Sequence, residues 1–156
     1  MESATVQIVK FAPVHQPAFE KLNREWIEKY FWMEPIDFEV LQNPEKNIID
    51  HGGEILMAEL PNETVGTVAL KYVSPGVYEF TKMAVNKNYQ GKQIGKKLAL
   101  AAIEEARQRK ADKIILYSNT KLAAAIQLYR QLGFVEIPVD GPYKRSDIKM
   151  ELKLKG

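Results

Sequence analysis

Met83-Ala84-Val85-Asn86-Lys87-Asn88-Tyr89-Gln90-Gly91-Lys92-Gln93-Ile94-Gly95-Lys96-Lys97-Leu98 is the stretch that decides the reading of this chain. A short apolar run ends, a polar glycine-bearing loop follows, and a basic helix start comes next. The first turn of a helix carries N–H groups with no internal partner, and they add to the positive end of the helix dipole. Small residues let an anion come close to those donors, and Lys92, Lys96 and Lys97 add charge, which together suit a phosphate group. The same pattern suits an ordinary loop before a solvated helix. Two known phosphate motifs do not fit. A P-loop needs G-x-x-x-x-G-K-S/T, but Gly91 and Gly95 stand one residue too close. A dinucleotide fingerprint needs G-x-G-x-x-G near the first strand of a parallel sheet.

Working outward from this stretch gives an element order. Upstream, Val6–Phe11 reads as a strand. Phe19, Leu22, Trp26 and Tyr30 recur at helical spacing, and Pro35 disfavours helical geometry at Glu34. A weaker helix is expected over Ile36–Gln42, with a second piece over Pro44–Asp50. Runs Glu54–Leu60, Val65–Val73 and Val77–Val85, separated by Pro61-Asn62 and Ser74-Pro75-Gly76, predict an antiparallel meander. Downstream, Lys96–Arg109 and Lys121–Leu132 read as helices. Lys113–Ser118, Phe134–Val139 and Ser146–Leu154 read as strands. The expected class is α/β (α+β), a mixed sheet with helices on both faces.

Composition narrows the functions. The chain has 156 residues, 46% hydrophobic, with 22 basic and 20 acidic side chains and no cysteine. That length suits one domain over residues 1–156, since about 150 residues bury roughly 70% of their surface on folding. Zero cysteine excludes a disulfide scaffold, a thiolate metal site and a cysteine nucleophile. Two histidines, His15 and His51, are too few for a histidine metal site without carboxylate help, so no metal is expected. The longest apolar run, Leu98–Ile103, is far short of the roughly 20 residues of a membrane span. Met1-Glu2-Ser3-Ala4-Thr5 lacks a signal-peptide pattern, which leads to the expectation of a cytoplasmic protein. A net charge of +2 does not argue for a nucleic-acid partner.

Gln90-Gly91-Lys92-Gln93-Ile94-Gly95 resembles the R/Q-x-x-G-x-G/A pyrophosphate loop of the GNAT superfamily of acyl-CoA-dependent N-acyltransferases. Gln93 stands where a middle glycine is usual, which is tolerated if the backbone there needs no positive φ. Met83-Ala84-Val85 resembles that family's M-x-V strand end. Ala125-Ile126-Gln127-Leu128-Tyr129-Arg130-Gln131-Leu132-Gly133-Phe134 is similar to its A-x-x-L/F-Y-x-x-x-G-F element. The likeness covers roughly Glu54–Leu154.

The resemblance implies a GNAT-like sheet, mostly antiparallel, splayed between the strands at Val77–Val85 and Lys113–Ser118. It implies acetyl-CoA as co-substrate. Met83, Ala84 and Val85 would bind pantetheine through the main chain, and Gln90, Gly91, Lys92, Gln93, Ile94, Gly95 and Lys96 would wrap the pyrophosphate. Asn119 would bond pantetheine or form an Asx turn. Tyr129 would protonate the leaving thiolate, or simply pack at a helix–sheet junction. Transfer to nitrogen needs an uncharged amine and hence a base. Glu79 is the candidate. Period-2 alternation puts it on one side with Thr81, Met83 and Val85, with Lys82 on the other. As a surface carboxylate or a lysine partner, Glu79 would have no such role. Acceptors would meet Tyr30, Phe31, Trp32 and Glu34, with Tyr143 a further candidate, although Trp26 suits the core better and the nearby acids suit a solvated face. The expected function is N-acetyl transfer from acetyl-CoA to a primary amine of a small molecule or peptide, by direct attack in a ternary complex. A catalytically silent acyl-CoA sensor on the same fold is the alternative. A homodimer is one arrangement the resemblance allows.

Overall fold

The structure is a computed structural model and describes residues 5–141 and 145–154. Seven strands form one sheet in the order β1-β2-β3-β4-β5-β7-β6. They are β1 (Gln7–Lys10), β2 (Glu54–Leu60), β3 (Glu63–Ser74), β4 (Val77–Val85), β5 (Lys113–Ser118), β6 (Val135–Ile137) and β7 (Ile148–Lys153). Every neighbouring pair is antiparallel except β4 with β5, which is parallel. A parallel pair needs a crossover, here supplied by a helix. The meander expected from the three middle runs is present as β2, β3 and β4.

Four α-helices cover the sheet: α1 (Gln16–Tyr30), α2 (Pro35–Gln42), α3 (Ile94–Gln108) and α4 (Ala123–Gln131). A π-helical turn at Glu45–Ile49 stands where a second helical piece was expected. On one face, α3 buries Ile94, Leu98, Ala102 and Ala106 against Val68, Leu70 and Phe80, and α4 adds Tyr129. Its three interior alanines let α3 lie close to the sheet. Gly66 serves the same end, because a Cβ there would meet Leu98 Cδ1 at 2.9 Å. On the other face, Phe19 and Ile27 of α1 and Leu41 of α2 pack on Ile55, Met57 and Ala69. Burying a leucine or phenylalanine of this kind stabilises the fold by roughly 1.5–3 kcal/mol.

One irregularity positions everything that follows. In the β3–β4 ladder Ala69 pairs with Thr81, but Thr67 pairs with Ala84. Lys82 and Met83 therefore stand together opposite Val68, which is a β-bulge. Lys82 accommodates it with φ +56°, a left-handed conformation that costs a non-glycine residue about 1–2 kcal/mol. The bulge shifts the alternation of β4 by one residue. Thr81 shares the face of Ala69, on the α1–α2 side. Met83 and Val85 pack on the α3 side. The expected single face for Glu79, Thr81, Met83 and Val85 is thus corrected: the first two face α1 and the last two face α3.

Candidate active site

The β4–β5 ladder runs only from Val77/Lys113 to Phe80/Leu116. β4 continues to Val85 and β5 to Ser118, so the two strands part and the sheet opens as a wedge. Two cavities adjoin there, sharing Trp26, Met83, Leu122 and Ala125 as walls.

The outer cavity is a groove built largely from consecutive residues. Met83, Ala84, Val85, Gln90, Gly91, Gln93, Ile94, Gly95 and Lys96 all line it, and α4 supplies the opposite wall. Lys92 sits at the exposed loop tip and does not line it. The Gln90 side-chain amide donates to the Val85 carbonyl at 3.2 Å, holding the loop against the strand end. The Lys97 N–H donates to the Gln93 carbonyl at 3.1 Å. The N–H groups of Ile94, Gly95 and Lys96 precede that bond and are the orphan donors of the helix start. A Cβ at Gly95 would find nothing nearer than Met83 Cε at 3.9 Å, so the approach to these donors is open. This donor set fits a pyrophosphate. Gln93 adopts φ +66°. The condition under which a glutamine would be tolerated without strain is not met: the loop holds a positive φ here, and glutamine bears it.

The inner cavity draws on distant segments. Glu79, Thr81 and Lys82 come from β4, Tyr129 from α4, Asn119 from the end of β5, Asn23 and Ile27 from α1, and Arg145 from the segment before β7. Glu79 is 5% exposed. The Tyr129 ring packs edge-on against Phe80 and Phe134, with centroids 5.7 and 6.0 Å away. Its hydroxyl bonds no described residue, yet no fully shielded side-chain oxygen or nitrogen among the described residues lacks a partner. The hydroxyl therefore opens onto the cavity its side chain lines. Burial pushes the phenol pKa well above its usual value. Asn119 accepts from the Lys121 N–H at 3.0 Å, an Asx turn, and donates to the Arg145 carbonyl at 2.7 Å. It lines the inner cavity rather than the outer groove.

A cluster of charges closes the floor. Asp37, 1% exposed, accepts from both terminal guanidinium nitrogens of Arg145 at 2.7 and 2.9 Å. The Glu34 N–H adds a third bond at 2.8 Å. Burial alone would raise the Asp37 carboxyl, but the Arg145 and Glu34 hydrogen bonds and the charges of Arg145 and Lys82 hold it below the usual range. The bulge swings Lys82 onto this same face, 3.8 Å from Asp37, with its side chain 15% exposed. Burial lowers the Lys82 pKa against the opposing pull of Asp37, with Arg145 lowering it further. The expectation that Lys82 faces away from Glu79 is therefore corrected: both line one cavity, and the reason is the bulge.

The expected acceptor residues separate. Phe31 lines the inner cavity and Tyr30 the outer groove. Trp32 follows the Phe31 cap of α1, is 62% exposed and lines neither. The Glu34 carboxylate lies 3.9 Å from Arg145 at the start of α2 and lines neither. Tyr143 lies outside the described residues. Two cations strap this turn to the other half of the chain. Lys121 donates to the Tyr30 carbonyl at 2.8 Å and stands 4.1 Å over the Phe31 ring, and Arg145 donates to the Trp32 carbonyl at 3.2 Å. The sequence reading missed Asn23 and Arg145, took Asp37 only as one of several acids near the acceptor region, and set Lys82 on the opposite face. Only Asn23 left a signal, as the polar member of the buried stripe Phe19–Asn23–Ile27.

The same architecture is found in known proteins. The model of the Acetyltransferase (GNAT) family matches residues 17–134. The uncharacterized N-acetyltransferase YvbK of Bacillus subtilis (strain 168) is 33% identical over 101 residues, 63% of this chain and 65% of that protein. The chain thus spans just under two thirds of that relative. A GNAT-family acetyltransferase of Staphylococcus aureus Mu50 superposes with a TM-score of 0.88 at 22% identity, over 97% of this chain and 100% of that one. The PaiA N-acetyltransferase of Thermoplasma acidophilum, solved in complex with coenzyme A, superposes with a TM-score of 0.76 at 20% identity, covering 96% and 99% of the two chains. With three quarters of its length accounted for by the family model, this chain belongs to the GNAT family of acetyltransferases.

Proposed function

We propose that the protein transfers the acetyl group of acetyl-CoA to a primary amine, by direct attack inside a ternary complex. The observation that carries this reading is the wedge: the β4–β5 ladder ends at Phe80/Leu116, and a groove reaching the N-terminal turn of α3 there meets a cavity lined by the Glu79 carboxylate and the Tyr129 phenol. Acetyl-CoA supplies the acetyl thioester. The backbone of Met83–Val85 holds its pantetheine arm, and the Gln90–Lys96 loop with the α3 N–H groups holds its pyrophosphate. Glu79 accepts the amine proton, directly or through a water, as the nitrogen lone pair forms the new C–N bond. Tyr129 gives its phenolic proton to the sulfur as the C–S bond breaks. A main-chain N–H near Val85 steadies the developing oxyanion. Burial keeps the Tyr129 proton in place and also makes the phenol a weaker acid, so the proton moves only as the C–S bond breaks and charge develops on sulfur. The cavity walls Trp26, Ile27, Phe31 and Leu122 favour an acceptor whose nitrogen sits on an apolar arm.

The test is thiol release from acetyl-CoA across a panel of primary amines. The chain contributes no thiol background, having no cysteine. Release that requires both substrates is expected. A melting-temperature rise with acetyl-CoA but no release with any amine would mark a silent acyl-CoA-binding module instead.

A further inference from the structure

Asn23 lies mid-helix on the buried face of α1, where asparagine is a poor helix former and a buried amide is costly unless bonded. It is 2% exposed. Its one bond to a described residue runs from Nδ2 to the Phe19 carbonyl at 3.0 Å. That bond fixes the amide's orientation, since a flipped oxygen would face another acceptor. The oxygen Oδ1 then has no protein partner among the described residues, although every fully shielded side-chain oxygen there has one. Oδ1 is therefore not sealed, and the space open to so buried a residue is the inner cavity that Asn23 lines with Glu79 and Thr81.

We propose that Asn23 Oδ1 is the second hydrogen-bond acceptor for the attacking amine, so that Asn23 and Glu79 together select a nitrogen carrying two hydrogens. This rests on the amine reading above. A neutral primary amine has four tetrahedral directions. One hydrogen goes to the Glu79 carboxylate, which then takes that proton. The other goes to Asn23 Oδ1, which accepts a bond but no proton. The carbon arm lies along Trp26 and Phe31, and the lone pair is left facing the wedge. An N-methyl amine keeps its one hydrogen for Glu79 and must set a methyl against Oδ1. Asn23 is thus a binding residue that sets specificity, its Nδ2 held by the Phe19 carbonyl of its own helix.

The test pairs butylamine, 2-phenylethylamine and an amino-acid amide with their N-methyl analogues and compares kcat/KM. Wild type should favour the primary amine by about tenfold or more, the size of a lost bond at a buried polar group. In Asn23→Ala the preference should fall to about twofold, through KM for the amine, with KM for acetyl-CoA unchanged. Should the alanine variant fold poorly, Asn23→Leu completes the apolar stripe and should show the same collapse of preference. Turnover by wild type with an unaltered preference in the folded variant overturns this inference alone. Wild type failing with every amine overturns the amine reading and this inference with it.

Discussion

The two cavities that meet at the β4–β5 wedge are built by opposite means. The outer groove has one wall from a nearly continuous stretch, residues 83–96, with α4 opposite, and it reaches the free amides of a helix start. The inner cavity is made of side chains from α1, β4, β5, α4 and the segment before β7, held by buried charge pairs. Backbone donors are tied to a local conformation, so side-chain changes disturb them only by filling space or adding charge. A side-chain cavity fails one partner at a time. The bulge at Lys82 joins the two designs, sending Glu79, Thr81 and Lys82 to one face and Met83 and Val85 to the other.

The strongest way to break this contrast is Gly95→Glu. The site has room for a Cβ in the free protein, but a carboxylate there would repel the pyrophosphate that the proposed function seats at the helix N-terminus. Thermal unfolding should show a normal melting temperature and no rise at millimolar acetyl-CoA. A retained rise would remove the groove from the site.

Asp37→Asn attacks the inner cavity through its frame. Removing one partner of a buried pair costs about 3 kcal/mol, or a melting temperature lower by roughly 6–12 °C. The folded Asp37 carboxyl lies below its ordinary value of 3.8. Its stabilisation is therefore complete above that value and is lost as pH falls through the lower folded one. Unfolding curves of the two proteins should converge in acid, and a constant gap would contradict the pairing.

Tyr129→Phe should lower kcat about 100-fold while isothermal titration finds acetyl-CoA affinity unchanged. Because burial raises the phenol, the wild-type rate should show no fall from tyrosine ionisation up to its ordinary value of 10.0. Equal kcat values would remove the acid.

The smallest effect belongs to Gln93→Gly. Relief of the left-handed strain, about 1–2 kcal/mol, is offset by the entropy of a new glycine, about 0.4–1 kcal/mol. A net gain of roughly 0.5 kcal/mol should appear in denaturant unfolding, and a loss would place the glutamine side chain in a stabilising contact.

Legibility in the sequence follows the same division. The groove could be read because its residues are consecutive and its chemistry needs only a strand end, small residues and a helix start. The meander and the wedge followed from turn residues and from the family resemblance. The inner cavity could not be read in this way. Asp37 and Arg145 are 108 positions apart, and neither neighbourhood announces the other. The bulge left no trace, because a lysine fills its left-handed position at 82, and a glutamine likewise hides the left-handed loop residue at 93, where glycine or asparagine would have been a signal. Alternation across an unseen bulge put Met83 and Val85 on the wrong face. Asn23 was readable, since a polar residue between Phe19 and Ile27 breaks a buried stripe, but the stripe was traced through Leu22 and Trp26 instead.

Direct transfer between adjoining cavities is tested most plainly by initial rates with acetyl-CoA and amine varied together. Double-reciprocal lines that intersect are expected, because both substrates must be bound before the acetyl group moves. Parallel lines, the mark of an acyl-enzyme formed before the amine arrives, would contradict it.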